Sequence, residues 1–188
     1  MNKNGISGFP FASDESCEHL FQLIRSARQR MTFFGLTRNF YTSPAMSELL
    51  IDRSVAVPIN ILLLNAYSAY WPERYRMEPG HARFHDPENY RPILERFAEM
   101  MNAAAARGGE LHVQYYEFQP GFGIEQIDDT LRVNFYGYHK AGTDSPILVL
   151  DSEQESMFRY FSDQLQSILE NNQANSILRL LEPARDLP

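Results

Sequence analysis

"VAVPINILLLNAY", residues 55–67, opens on β-branched valines and then stays almost continuously apolar. That is the composition of a strand covered on both of its faces. Pro58 has no N–H to offer a ladder, so it belongs where the strand starts or on an unpaired edge. A strand buried this way needs helices on either side of its sheet, and helical patterns should flank it.

They do. Upstream, "SDESCEHLFQLIRSARQR" (13–30) has Ser13 and Asp14 as cap candidates and an apolar face of Leu20, Leu23, Ile24 and Ala27. "MTFFGL" (31–36) is a short apolar run of strand length, with Gly35 near its end. "SPAMSELLIDRS" (43–54) offers Ser43 as cap and Pro44 at the first helical position. Downstream, "YRPILERFAEMMNAAAARGG" (90–109) places Ile93, Leu94, Phe97, Met100, Met101 and Ala104 on one helix face and stops at Gly108-Gly109. "ELHVQYYEF" (110–118) alternates as a strand, and "GFGIEQIDDTLRVNFYGYHK" (121–140) reads as a hairpin turning at Asp128-Asp129-Thr130. "SPILVLD" (145–151) is a further strand, and "SEQESMFRYFSDQLQSILENN" (152–172) a last helix with Ser152 and Glu155 spaced as a capping box. Its buried stripe is Met157, Phe161, Leu165 and Ile168.

Early strands separated by helices imply parallel pairing, and the late run of strands implies an antiparallel addition. The expected fold is therefore α/β, a mixed central sheet with helices on both faces. One domain is expected over 13–172, between a frayed N-terminus (1–12) and a C-terminal tail (173–188). The stretch 68–89, with prolines at 72, 79 and 87, reads as a long loop.

Across its 188 residues the chain carries a net charge of −7, which argues against a general nucleic-acid binder, and no nucleic-acid partner is expected. No apolar run reaches membrane-span length and no signal-peptide layout opens the chain, so the expectation is a cytoplasmic protein with no membrane partner. Cys17 is the single cysteine, which excludes an intrachain disulfide. Phosphate-loop, dinucleotide-binding, nucleophile-elbow and H-E-x-x-H motifs are all absent, and "PGFGIEQ" leads into a strand where a phosphate cradle would open a helix. No cofactor is implied. His81, His85 and Asp86 share the long loop without the third spaced partner of a metal site, and His112 reads as a strand residue. His139 beside Lys140 stands at a strand end, where side chains commonly face a cleft. Arg74, Arg76 and Arg83 alternate with Tyr70, Trp71, Tyr75 and Phe84, which suits a planar or anionic ligand as well as a loop packed on a sheet edge.

Over about residues 18–165, the order and pattern of these segments resemble a phospholipase D-like half-domain. "LFQLIRSARQRMTFFGLT" followed by "ELLIDRSVAVPINILLLN" is similar to that family's opening helix, strand ending in a small residue, second helix and apolar strand. "ELHVQYYEF" and the hairpin lie where the family carries H-x-K-x-x-x-x-D. With the motif's aspartate on Asp128, the lysine position falls on Gly123 and the histidine position on Gly121. The later G-S-x-N falls on "GYHK", with Gly137 kept, Tyr138 for serine and Lys140 for asparagine. Glycine offers neither nucleophile nor acid, so the family's phosphohistidine chemistry is lost.

The resemblance then implies a degenerate domain whose vacated space either admits a ligand's body or is filled by Phe122 and the loop aromatics. A small anionic or aromatic ligand would be bound by Gly121, Gly123 and Lys140, with Arg74 and Arg76 closing the pocket and Asp128, Tyr138 and His139 on its rim. Were the pocket catalytic, Glu117, Tyr138 and His139 would supply acid/base groups, with Asp128 beside them. A third alternative is a protein-interaction module. Family half-domains with one motif per chain pair as homodimers, and the resemblance implies the same here.

Overall fold

The apolar run becomes β3 (Ile59–Leu64), and five of its six residues are buried. It pairs in parallel with β2 (Met31–Gly35) on one side and β4 (Leu111–Tyr116) on the other. The computed structural model describes residues 7–76, 86–137, 141–152 and 155–182. Beyond β2 the sheet turns antiparallel through β5 (Phe122–Ile127), β6 (Thr130–Phe135) and β7 (Ile147–Asp151). The seven strands lie in the order β1-β7-β6-β5-β2-β3-β4, where β1 is Ser7–Phe9. The mixed sheet thus follows the division between early, helix-separated strands and late, hairpin-joined ones. The turn of the hairpin is tighter than the sequence suggested: Ile127 already pairs with Thr130, which leaves Asp128-Asp129 as a two-residue loop.

Both chain ends depart from the expected boundaries. Ser7–Phe9 forms β1, antiparallel to β7 at the sheet's edge, although three residues are too few to show an alternating pattern. At the other end, Ile177 is fully buried. Its N–H donates to Val113 O at 3.1 Å, and Tyr115 N–H donates to Asn175 O at 2.9 Å. The segment read as a tail therefore lies along β4 and leads into α6 (Leu178–Leu181).

Neighbouring residues of a strand point to opposite faces, which fixes where the helices sit. Phe122 meets Phe161 of α5 (Glu155–Asn171) at a ring separation of 5.5 Å. Glu125, on the other face, is paired with Arg132, whose guanidinium reaches Ser16 of α1 (Asp14–Ser26). Helices α1, α2 (Pro44–Ser54) and α4 (Arg91–Ala106) pack side by side. Ser13 caps α1 by accepting the Ser16 N–H at 3.2 Å, as the sequence predicted. The stretch 68–89 is not all loop: it contains α3 (Tyr70–Arg76), with Trp71, Arg74 and Tyr75 buried at helical spacing. Among the described residues, no helix is long and apolar enough to cross a membrane.

Candidate functional site

On the sheet face covered by α1, a cavity of about 580 Å³ opens over β5, β6 and the start of β7. The first turns of α1 supply Ser16, Cys17 and Leu20, and the connection from β2 to α2 supplies residues 36–41. Ala12, Tyr75 of α3, residues 141–143 and Ile147 complete the wall. The strands place Glu125, Arg132 and Asn134 on this face by simple alternation, and Tyr136 follows directly after β6.

The floor of the cavity is a buried ionic cluster. Glu125 Oε2 accepts Arg132 Nε at 2.7 Å, and Glu125 Oε1 accepts Arg38 Nη1 at 3.3 Å and the Tyr41 hydroxyl at 2.5 Å. The side chains of Arg38, Glu125 and Arg132 are 9%, 13% and 3% exposed. Burial alone would raise the Glu125 pKa, but the charges of Arg132 and Arg38 and the Tyr41 hydrogen bond outweigh it and hold the carboxyl below its usual range. Burial, and next the Glu125 charge, push the Tyr41 hydroxyl well above its ordinary value, so it remains a donor. Arg132 is saturated on its other side by Ser16 O at 3.0 Å, Ser16 Oγ at 2.8 Å and His19 Nδ1 at 2.8 Å. Burial, followed by Arg132, lowers the His19 pKa and keeps that ring neutral enough to accept. Burial raises the Cys17 thiol, with Arg132 opposing, so this cavity-lining cysteine is not an activated nucleophile.

Only part of the sequence-derived site gathers here. Gly123 is buried next to the cavity, yet it leaves no vacancy. A methyl group there would run into Asn134 Oδ1 and lie 2.5 Å from the Tyr136 hydroxyl and 2.8 Å from Arg38 Nη2. Phe122 does not fill this space, because it points to the α5 face. Gly121 stands in the open, with nothing within 4 Å of a methyl placed on it. Arg74 is buried, donates to Gly137 O at 3.3 Å and stacks its guanidinium over Tyr136 at 5.4 Å, one residue from the cavity-lining Tyr75. Arg76 is exposed at the end of α3. Glu117 is exposed beyond β4 and accepts Asn65 Nδ2 at 2.6 Å, away from the cavity.

Asp128 lies at the opposite end of β5, where its carboxylate accepts the backbone N–H groups of Arg28 and Gln29, each at 2.8 Å, and of Arg30 at 3.1 Å. Partial burial would raise its pKa, but these three donors hold it below its usual value. Tyr138, His139, Lys140, His81 and His85 lie outside the described residues. Asp86 caps a short 3₁₀ turn by accepting Glu88 N–H at 3.0 Å.

The sequence reading missed Arg38, Tyr41, Glu125 and Arg132. Glu125 and Arg132 could have been found: a two-residue turn at Asp128-Asp129 makes them cross-strand partners. Arg38 and Tyr41 arrive from a connection with no periodicity to read.

No family model matches the chain, and no curated protein sequence is similar to it. Its architecture is nevertheless found among solved structures. TrmBL2, an archaeal chromatin protein whose structure shows a novel mode of DNA binding, superposes with a TM-score of 0.56 over 92% of this chain at 8% identity. The chain spans 55% of the TrmBL2 chain. NucT from Helicobacter pylori aligns with a TM-score of 0.47 at 11% identity, covering 90% of this chain and 97% of its own. The TrmBL2 likeness overturns the exclusion of nucleic acid drawn from net charge, since a DNA-binding chromatin protein shares this architecture. A charge summed over the whole surface says little about a local basic site.

Proposed function

We propose that this chain is a phospholipase D-like domain, lacking histidine-based phosphodiesterase chemistry, that binds a small anionic or aromatic ligand as a sensor or regulatory module. The observation that carries this reading is the 580 Å³ cavity, walled by Tyr41, Tyr75 and Tyr136 and floored by a buried Arg-Glu-Arg cluster. A few oriented polar groups in a largely apolar hollow are what small-ligand sites are made of. The phospholipase D-like assignment draws support from the element order: a helix, a strand ending in Gly35, a second helix and a doubly covered strand, then β4 and the hairpin. The side chains crowding Gly123 support loss of the usual chemistry, because they occupy the position that the family gives to lysine. A concave site at this place disfavours the interaction-module alternative. The resemblance also carries the expectation of a homodimer, which sedimentation velocity would test.

The deciding experiment is native mass spectrometry of the purified chain, alongside Gly142→Trp. Gly142 lines the cavity, and a Cβ added there makes only an ordinary 3.5 Å contact with the Tyr136 ring. The expected outcome is a co-purified small molecule, lost in the variant; a wild-type chain that retains no molecule and binds none from a fragment screen would defeat the reading. TrmBL2 favours a second reading, in which the recognised anion belongs to a nucleic acid. Single-stranded and duplex oligonucleotides therefore belong in the same assay, and oligonucleotide binding that Gly142→Trp leaves unchanged would point to a site elsewhere on the surface.

A further inference from the structure

Two glycines face each other across β2 and β5. The ladder pairs Phe34 with Ile124, so the next position sets Gly35 opposite Gly123. The guanidinium of Arg38 lies over this pair, and its Nη2 donates to Phe34 O and, at 3.4 Å, to Ile124 O. A methyl group on Gly35 would run into Arg38 Nε and lie 2.5 Å from its Cζ, and one on Gly123 would lie 2.8 Å from Nη2. Neither glycine has the left-handed backbone that would demand glycine for its own sake. What both provide is room for the guanidinium. Arg38 itself is left-handed, with φ 49° and ψ 24°, a conformation that L side chains adopt rarely and that clusters at functional positions.

The charge balance is uneven. Among the described residues lining the cavity, Arg38 and Arg132 stand against Glu125 alone. Arg132 is consumed by Glu125, Ser16 and His19. Arg38 gives Glu125 one 3.3 Å contact, and its Nε–H has no acceptor in the structure described. Asn134 and Tyr136 flank it, and the Tyr136 hydroxyl, which accepts Leu36 N–H at 3.2 Å, offers an O–H as a donor. We infer that the two-glycine notch holds Arg38 as the anion-binding residue of the cavity, and that the occupant presents one compact negative group, a carboxylate or a phosphate, to Arg38, Asn134 and Tyr136. This rests on the ligand-binding reading above and names the group that such a ligand carries.

The test is isothermal titration of the full chain with sodium phosphate and with sodium benzoate at constant ionic strength. One of the two anions is expected to bind saturably, and which one does identifies the source of the negative charge. Arg38→Gln should weaken it at least tenfold. Gly123→Ala should do the same while retaining Arg38, because the new methyl displaces the guanidinium from its notch. Arg159→Gln, on the exposed surface of α5, should change nothing. Thermal midpoints of all variants separate lost binding from lost folding, and if Arg38→Gln does not fold, Gly123→Ala and Arg38→Lys carry the test, lysine keeping the charge without the planar fork. Unchanged anion affinity in both Arg38→Gln and Gly123→Ala overturns the inference. If Gly142→Trp alone then abolishes binding, the cavity reading survives it. Failure of both anions to bind also overturns the inference; a neutral molecule retained through purification would still uphold the cavity, and its absence would take both down.

Discussion

Glu125 on β5 and Asp128 in the turn that follows it are three residues apart, yet they hold different parts of the molecule. Glu125 separates two buried guanidiniums, and removing its charge would leave both cations facing each other over the cavity. Stripping one partner from a buried ionic cluster costs about 3–5 kcal/mol, so Glu125→Gln should lose that much in urea unfolding. Asp128 ties the hairpin turn to the chain segment entering β2 through three backbone donors, and it tolerates the left-handed turn position at φ 48°. Asp128→Ala should cost about 2 kcal/mol, in the manner of a lost helix cap, and Asp128→Asn clearly less. Both carboxyls titrate below their usual values in the folded chain. Their stabilisation is therefore complete above the unfolded-state pKa, about 4, and is lost as pH falls through the depressed values. Stability followed by circular dichroism should fall on acidification below that point, and Asp128→Asn should flatten part of the fall. The Glu125–Arg132 pairing was legible, because strand alternation and a two-residue turn determine it. Arg38 was not, since nothing in "LTRNF" announces that a loop arginine will lie across two glycines of the neighbouring strands.

Elements with strong periodicity were readable for the same physical reason that they are stable: one face is buried. The helix α4 carried Ile93, Leu94, Phe97, Met100 and Ala104 inward as its spacing predicted. The helix α3 was passed over because the prolines of the stretch 68–89 dominated the reading, although Pro72 sits in the first turn, where a missing N–H is harmless, and Trp71, Arg74 and Tyr75 already showed helical spacing. Met157 shows the limit of the method: it belongs to the expected stripe of α5 but is 38% exposed, since α5 is covered by the sheet on one side only. The stop of α4 gives a sharper contrast between two adjacent glycines. Gly108 is left-handed at φ 75° with open space where a side chain would go, so Gly108→Ala should cost about 1 kcal/mol through backbone strain alone. A methyl on Gly109 would instead run into Ser54 Oγ and lie 2.9 Å from the Ser54 carbonyl carbon. Because α2 itself would have to move, Gly109→Ala should destabilise more than Gly108→Ala in paired urea titrations. An equal loss would mean that α2 yields easily.

On the scale of the whole molecule, the sheet must protect its two outer strands. One edge is the short β1, whose three residues offer little to a neighbouring chain. The other is β4, which is longer and carries buried residues from Leu111 to Tyr116. Residues 175–177 lie along it, hydrogen-bonded at Val113 and Tyr115, and Ile177 inserts into the core. A boundary at 172 looked natural in the sequence because polar residues follow the last periodic helix, and a three-residue edge contact leaves no pattern to read. The structure gives that segment two separable roles. As a core residue, Ile177 should behave like other buried isoleucines, so Ile177→Ala should lower stability by about 2–5 kcal/mol without changing solubility. As an edge cover, the backbone of 175–177 cannot be replaced by any side-chain substitution. A chain ending at Asn172 should therefore lose more stability than Ile177→Ala and also self-associate, since the uncovered N–H and C=O groups of β4 are a template for another strand. Light scattering at matched stability, with urea added to Ile177→Ala until its folded fraction equals that of the shortened chain, separates the two effects. Equal scattering in the two samples would show that burial of Ile177, and not the covering of β4, is what the C-terminal segment contributes.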